Sequence, residues 1–113
     1  MIIRKQQTTQ EGISKNHQIW DYKLPNEKIG VSYQELNGRV PEKGWGINET
    51  CFEVYYVISG KAKANIDKNV YDIESGDLVV LEPHHKSYLE ANNLQIITIT
   101  NPNWLPEQYK EIL

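Results

Sequence analysis

The sequence predicts an all-β chain folded as a barrel or sandwich. Short runs rich in Val, Ile, Tyr and Thr recur along its length, separated by Gly, Pro, Asn and Asp at spacings suited to turns. Apolar residues almost nowhere recur at the three-and-four spacing of an amphipathic helix. The turn chemistry favours antiparallel neighbours over parallel crossovers.

In chain order the strand candidates are IIRK, HQIWDYK, IGVSYQEL, WGI, EVYYVIS, KAKANID, NVYDI, DLVVL, SYLEA and LQIITIT, from which roughly nine strands are expected. Asn37-Gly38 supplies the positive φ angles of a two-residue hairpin, and IDKNV and IESGD put Asp, Asn and Gly where a tight reversal needs them. Only the tail NWLPEQYKEIL reads as helical. Pro106 is tolerated in a first turn and Glu107 suits the positive end of a helix dipole, so a short C-terminal helix is expected there. No solenoid-period repeat, low-complexity tract or linker interrupts the chain, and residues 1–113 are read as one domain.

A chain of 113 residues is long enough to remove roughly two-thirds of its extended surface from water without staples. Its formal charge is −3, with Lys and Arg scattered rather than blocked. Such a chain offers no basic stripe to a nucleic acid or an anionic membrane, and neither is expected as a partner. The start, MIIRKQQTTQEG, has no apolar core of signal-peptide length, and no stretch approaches the length of a spanning helix, so a cytoplasmic location is expected. The single cysteine, Cys51, has no internal disulfide partner and reads as a passive small side chain.

FEVYYVISG, residues 52–60, is the most apolar stretch, yet it carries Glu53. A buried carboxylate is costly unless it is paired, metal-bound or solvated by a cavity, so Glu53 is expected to face an open-ended barrel. Strand parity then turns Tyr55 and Val57 inward and Val54, Tyr56 and Ile58 outward. The outward side would be an exposed apolar patch unless something covers it. A homodimer through this sheet is the expectation, with coverage by the N-terminal strands as the alternative.

The order Glu53, six residues, Gly60, about fifteen residues to Ser75-Gly76-Asp77, then a Val-rich strand ending at Pro83, resembles the cupin family, from about Trp45 to Trp104. The resemblance implies a double-stranded β-helix, the cupin jelly-roll barrel. In cupins two histidines precede the first-motif glutamate and a further histidine sits in the second motif. Imidazole nitrogens with a carboxylate suit a divalent transition metal. Here the first-motif positions read Ile47 and Glu49, or Gly46 and Asn48, and the second-motif position falls on Tyr88. A phenol with a pKa near 10 is a poor ligand at neutral pH. Of His84 and His85, at most one can look inward.

No metal cofactor is therefore expected; should one bind, Glu49, Glu53 and His85 are the candidate ligands. The candidate ligand-binding set is Trp45, Asn48, Glu49, Glu53, Tyr55, His85 and Tyr88, a polar-aromatic lining suited to a carbohydrate-like or other small polar ligand. Tyr33 is a further possibility whose parity is open. His17 reads as a surface residue, and Trp20 and Trp104 as covers for the barrel ends. Phosphate-cradling loops, nucleophile elbows and Cys/His zinc patterns are absent. The expected function is small-molecule binding without the usual histidine metal centre. The alternative is a sugar isomerase, epimerase or lyase in which Glu49 and Glu53, as two mutually repelling carboxylates, serve as acid and base.

Overall fold

Alternation of side chains along each strand becomes an inner and an outer wall in the computed structural model, which describes residues 1–113 apart from the side chain of Ile13. The strands are β1 Thr9–Ser14, β2 His17–Tyr22, β3 Gly30–Val40, β4 Trp45–Asn48, β5 Phe52–Ile66, β6 Asn69–Glu74, β7 Leu78–Leu81, β8 Lys86–Asn101 and β9 Tyr109–Ile112. Every ladder is antiparallel, and β8 is the hub. One edge of β8 pairs with β3 and β4, and the other with β5 along nearly its whole length. β6 and β7 lie end to end on the far edge of β5, β2 and β1 extend the sheet beyond β3, and β9 covers the edge of β4. The sheet curls into a double-stranded β-helix, an all-β jelly-roll barrel.

Several local expectations are corrected. Gly60 does not end its strand: EVYYVIS and KAKANID are two halves of β5, as SYLEA and LQIITIT are of β8. The register shifts where they meet, at Gly60 with φ 84° and beside Asn93 with φ 48°. A Cβ on Gly60 would overlap the Asn93 carbonyl oxygen, so the close approach of the two long strands requires glycine there. Asn37-Gly38 is likewise a bulge within β3 rather than a hairpin turn, although Gly38 takes the positive φ, 91°, that its identity suggested. The IESGD segment is a jog between β6 and β7, pinned to β5 by Gly76 N–H to Val57 O and Val57 N–H to Asp77 O, both 2.9 Å. Only IDKNV makes the expected reversal, pairing Ile66 with Asn69 across Asp67-Lys68.

IIRK is not a strand; the first strand is TQEGIS, preceded by a single 3-10 turn at Lys5–Gln7. The C-terminal helix is not formed either. Pro106–Gln108 make one 3-10 turn, and the next residues become β9 because the free edge of β4 supplies hydrogen-bond partners that an isolated short helix lacks. No helix is long and apolar enough to cross a membrane.

The barrel is solid at one end and hollow at the other. Leu36, Val57, Leu89, Leu94 and Ile96 belong to a buried hydrocarbon cluster. Further along the same inner faces the residues become polar: Ser32 pairs with Thr98 and Thr98 with Tyr55, then Gly30 pairs with Thr100 and Thr100 with Glu53. On the outer wall Tyr56, Ile58, Leu78 and Val80 remain 40–58% exposed, so the N-terminal strands do not cover that face.

Candidate functional site

A cavity of about 770 Å³ occupies the hollow end and runs along the inner walls of β1, β2, β3, β5 and β8. Glu53 and Tyr55 line it, as β5 parity requires. Asn48 of β4 donates from Nδ2 to Glu53 Oε1 at 2.7 Å, while its Oδ1 accepts from Trp104 Nε1 at 3.0 Å and Gln108 Nε2 at 2.9 Å. Crowding of Glu53 by surrounding protein raises its carboxyl pKa above the ordinary value, partly offset by the Asn48 hydrogen bond. Among the described residues it forms no ion pair. Burial, followed by the charge of Glu53, also pushes the Tyr55 phenol well above its usual range, so it stays neutral.

The opposite wall was not anticipated. β2 sends His17, Ile19 and Asp21 inward, and β3 sends Ser32 and Gln34. His17 is therefore not a surface residue: its Nε2 lies 2.8 Å from Gln34 Oε1, and Gln34 Nε2 donates to Ser32 Oγ at 3.0 Å and to Thr98 Oγ1 at 3.4 Å. Burial lowers the His17 pKa, with the Gln34 contact opposing, which favours neutral imidazole. Asp21 is raised by burial and then by the charge of Glu11, Lys23 opposing. Trp20 and Tyr33, on the other parity, stack on the outside with ring centroids 5.3 Å apart. The Tyr33 hydroxyl bonds Glu35 there, and burial and this bond raise its pKa to about 12. The signal for the true inner face lay in LQIITIT, where Thr98 and Thr100 share the parity of Ile96 and are buried with it.

Of the candidates read from sequence, Asn48, Glu53, Tyr55, His85 and Tyr88 border the cavity; Trp45 and Glu49 do not. Trp45 sits edge-on to Tyr88, centroids 4.7 Å apart, with Lys86 Nζ over its ring. Tyr88 touches the cavity, but Arg39 lies 3.8 Å over its ring. His85 Nδ1 is 3.6 Å from Asp67 Oδ2, beyond hydrogen-bond reach. Glu49 turns outward to Lys110 Nζ at 3.2 Å, because Asn48 takes the inward position on β4. Trp104 both lines the cavity and joins the Asn48 cluster. Cys51 is fully buried, with its thiol pKa raised by burial, in keeping with a passive role.

No family model matches the chain, and no curated protein matches it in sequence. Solved structures do match in shape. The chain superposes on Pac13, a nucleoside dehydratase, with TM-score 0.87 at 11% identity, covering 99% of this chain and 90% of that one. Streptomyces PAC13 with uridine gives 0.86 at 11% identity over 97% and 88%. An RmlC-like cupin from Shewanella frigidimarina gives 0.73 at 17% identity over 93% and 92%.

This is a cupin fold. The cupin metal position can therefore be tested against the side chains present. On β4 the inward residues are Gly46 and Asn48, and Asn48 already occupies one oxygen of Glu53. The candidate ligands Glu49, Glu53 and His85 do not converge, and among the described residues no three His, Cys, Asp or Glu side chains group as a metal site. The donor set does not fit a cupin metal. The cavity still offers hydrogen-bonding oxygens and amides, an imidazole and a carboxyl group beside the buried ring of Tyr55 and the more exposed rings of Tyr88, Trp104 and Tyr109.

Proposed function

We propose that this protein is a small-molecule-binding cupin that holds a neutral, polar, ring-bearing compound, carbohydrate-like or nucleoside-like, in its barrel without the histidine metal centre. The observation that carries this reading is the hollow end of the barrel, where the cross-strand row Asp21, Ser32, Thr98 and Tyr55 sets hydrogen-bonding groups into a wall that also carries Ile19, Leu81 and Ile96. A volume of about 770 Å³ lies within the range of small-ligand sites. The wall carries Glu11, Asp21, Glu42, Glu82 and Glu111 against Arg39 and Lys43, which disfavours phosphates and other anions. The shape shared with a uridine-bound protein supports a ligand of nucleoside size.

The test is calorimetric titration with uridine, ribose and neutral monosaccharides, repeated on Ser32→Phe, which fills the cavity. Saturable binding of one of these compounds, lost in the filled variant with the fold retained, is expected. No binding across the panel, or binding indifferent to the filling, overturns the reading.

Enzymatic action is the second reading, and Glu49 has no part in it. It is favoured by His17, whose lowered pKa and Gln34 contact leave a neutral ring on the cavity wall able to accept a proton.

A further inference from the structure

The clearest unexplained chemistry in the barrel lies around Glu53 and Thr100, and its reading rests on a ligand entering the cavity. Indole nitrogen only donates, so the Asn48 atom facing Trp104 Nε1 is the amide oxygen and the amide cannot be reversed. Gln108 Nε2 donates to the same oxygen. Asn48 Nδ2 is thereby fixed toward Glu53, where it donates to Oε1. A proton on Oε1 would meet that N–H head on. In the acid form of Glu53 the proton therefore resides on Oε2, which has no partner among the described residues.

Directly opposite Glu53 in the β5–β8 ladder stands Thr100, 4% exposed and lining the same cavity. Side chains so paired start about 5 Å apart at Cβ. Its Oγ1 is a buried hydroxyl without a hydrogen-bond partner among the described residues, a costly state that bound ligand would relieve. Gly30, the partner of Thr100 on its other side, preserves the space: a Cβ there would stand 2.6 Å from Thr100 Oγ1 and 2.7 Å from Asn103 Oδ1.

We propose that Glu53 Oε2–H and Thr100 Oγ1–H form a two-donor clamp for a carbonyl oxygen of the ligand. Such an oxygen accepts both hydrogen bonds and satisfies the orphaned hydroxyl. A carboxylate at the same place would repel it, so the clamp works only while Glu53 is protonated. The titratable groups that sense Glu53 are Tyr55 on its own strand, Tyr109 of β9 and Cys51 before β5, each neutral when protonated; none is a cation that would hold the carboxylate. The raised carboxyl pKa agrees with this arrangement. Two convergent donors also polarise a carbonyl toward charge on oxygen, the electrostatic requirement for enolisation beside it.

The experiment follows the Glu53 carboxyl by 13C NMR on glutamate-labelled protein, assigned by its loss in Glu53→Gln, and measures uridine affinity over the same pH range. The expected result is a carboxyl midpoint above the ordinary glutamate value of about 4.3, with wild-type affinity falling as pH rises through it. Glu53→Gln, whose carboxamide donates from the Oε2 position at every pH, is expected to bind with a flat pH profile. Thr100→Val is expected to weaken uridine about tenfold, the equivalent of one hydrogen bond, without loss of melting temperature. An ordinary carboxyl midpoint, a flat wild-type profile, or Glu53→Gln binding no better than Glu53→Ala overturns the clamp. Absence of uridine binding at every pH, with ribose or a monosaccharide still bound, overturns the clamp, whereas absence of binding across the whole panel overturns the ligand-binding reading, so the two failures are told apart.

Discussion

His17 Nε2 meets Gln34 Oε1 at 2.8 Å across the β2–β3 ladder, inside the barrel. Gln34 turns its amide nitrogen to Ser32 and Thr98 and its oxygen to the imidazole, an arrangement that matches an Nε2–H tautomer of His17. Gln34→Ala is expected to cost about 1 kcal/mol in urea unfolding and to release the ring.

The same pair sets a pH dependence. Because the folded pKa of His17 lies below the 6.5 of the free side chain, the unfolded chain binds the proton first as pH falls. Its stabilising contribution is complete above about pH 6.5 and is lost as pH drops toward the folded value. Glu53 and Asp21, raised by burial, act in the opposite sense and cost stability as pH rises through their folded values. Comparing His17→Gln with wild type isolates the first effect: the signed change in urea midpoint on going from pH 5 to pH 7.5 should be less positive in the variant.

Asn48 serves three neighbours at once, accepting from Trp104 and Gln108 and donating to Glu53. Asn48→Leu, similar in size, leaves these groups without their partner; the Glu53 oxygen becomes a buried orphan costing about 1–3 kcal/mol, while the partly exposed Trp104 and Gln108 lose less. A loss in this range or above is expected by denaturant unfolding. Asn48→Asp keeps the two acceptor contacts but sets a second carboxyl against Glu53, so its deficit should grow as pH rises.

Gly60 and Gly76 both have left-handed φ, 84° and 95°, but differ in surroundings. A Cβ on Gly60 meets the Asn93 backbone, whereas one on Gly76 finds nothing within 4 Å. Gly76→Ala should cost about 1 kcal/mol from backbone strain alone, and Gly60→Ala clearly more. Thermal melting of the two variants side by side measures the difference.

The outer face of β5 bears two uncharged cross-strand rows, Leu78 with Tyr56 and Ile97, and Val80 with Val54 and Ile99. Uncharged apolar rows suit a second copy of the same surface, and a homodimer through this face is our proposal. Wild type is expected to sediment as a dimer and Tyr56→Glu/Leu78→Glu as a folded monomer. A monomeric wild type at micromolar concentration would refute it.

The legible parts of the fold were those governed by local alternation. Glu53, Tyr55 and Val57 share the inner wall as parity requires, and the β-rich pattern with its Gly60 and Ser75-Gly76-Asp77 punctuation led to the right architecture. Punctuation alone did not reveal whether the chain turns or merely kinks. Gly38 takes the positive φ expected of it, and Gly60 and Gly76 take positive φ as well, yet each marks a bulge or jog because a partner strand continues past it. The tail likewise becomes a strand because β4 offers it an edge.

For the site, the division is sharper. The sequence by itself determined that a carboxyl group would stand in an apolar strand, and the cost of burying it unpaired led to the expectation of a barrel interior. Only the tertiary structure decided which residues meet it there. Asn48 rather than Glu49 turns inward, Thr100 stands opposite, and His17 and Gln34 form part of the cavity wall. Parity along one strand is a two-residue rule written in the sequence. Which strands become neighbours, and at what register, is settled by contacts between residues far apart in sequence, such as Gln34 and Thr98, 64 positions from one another.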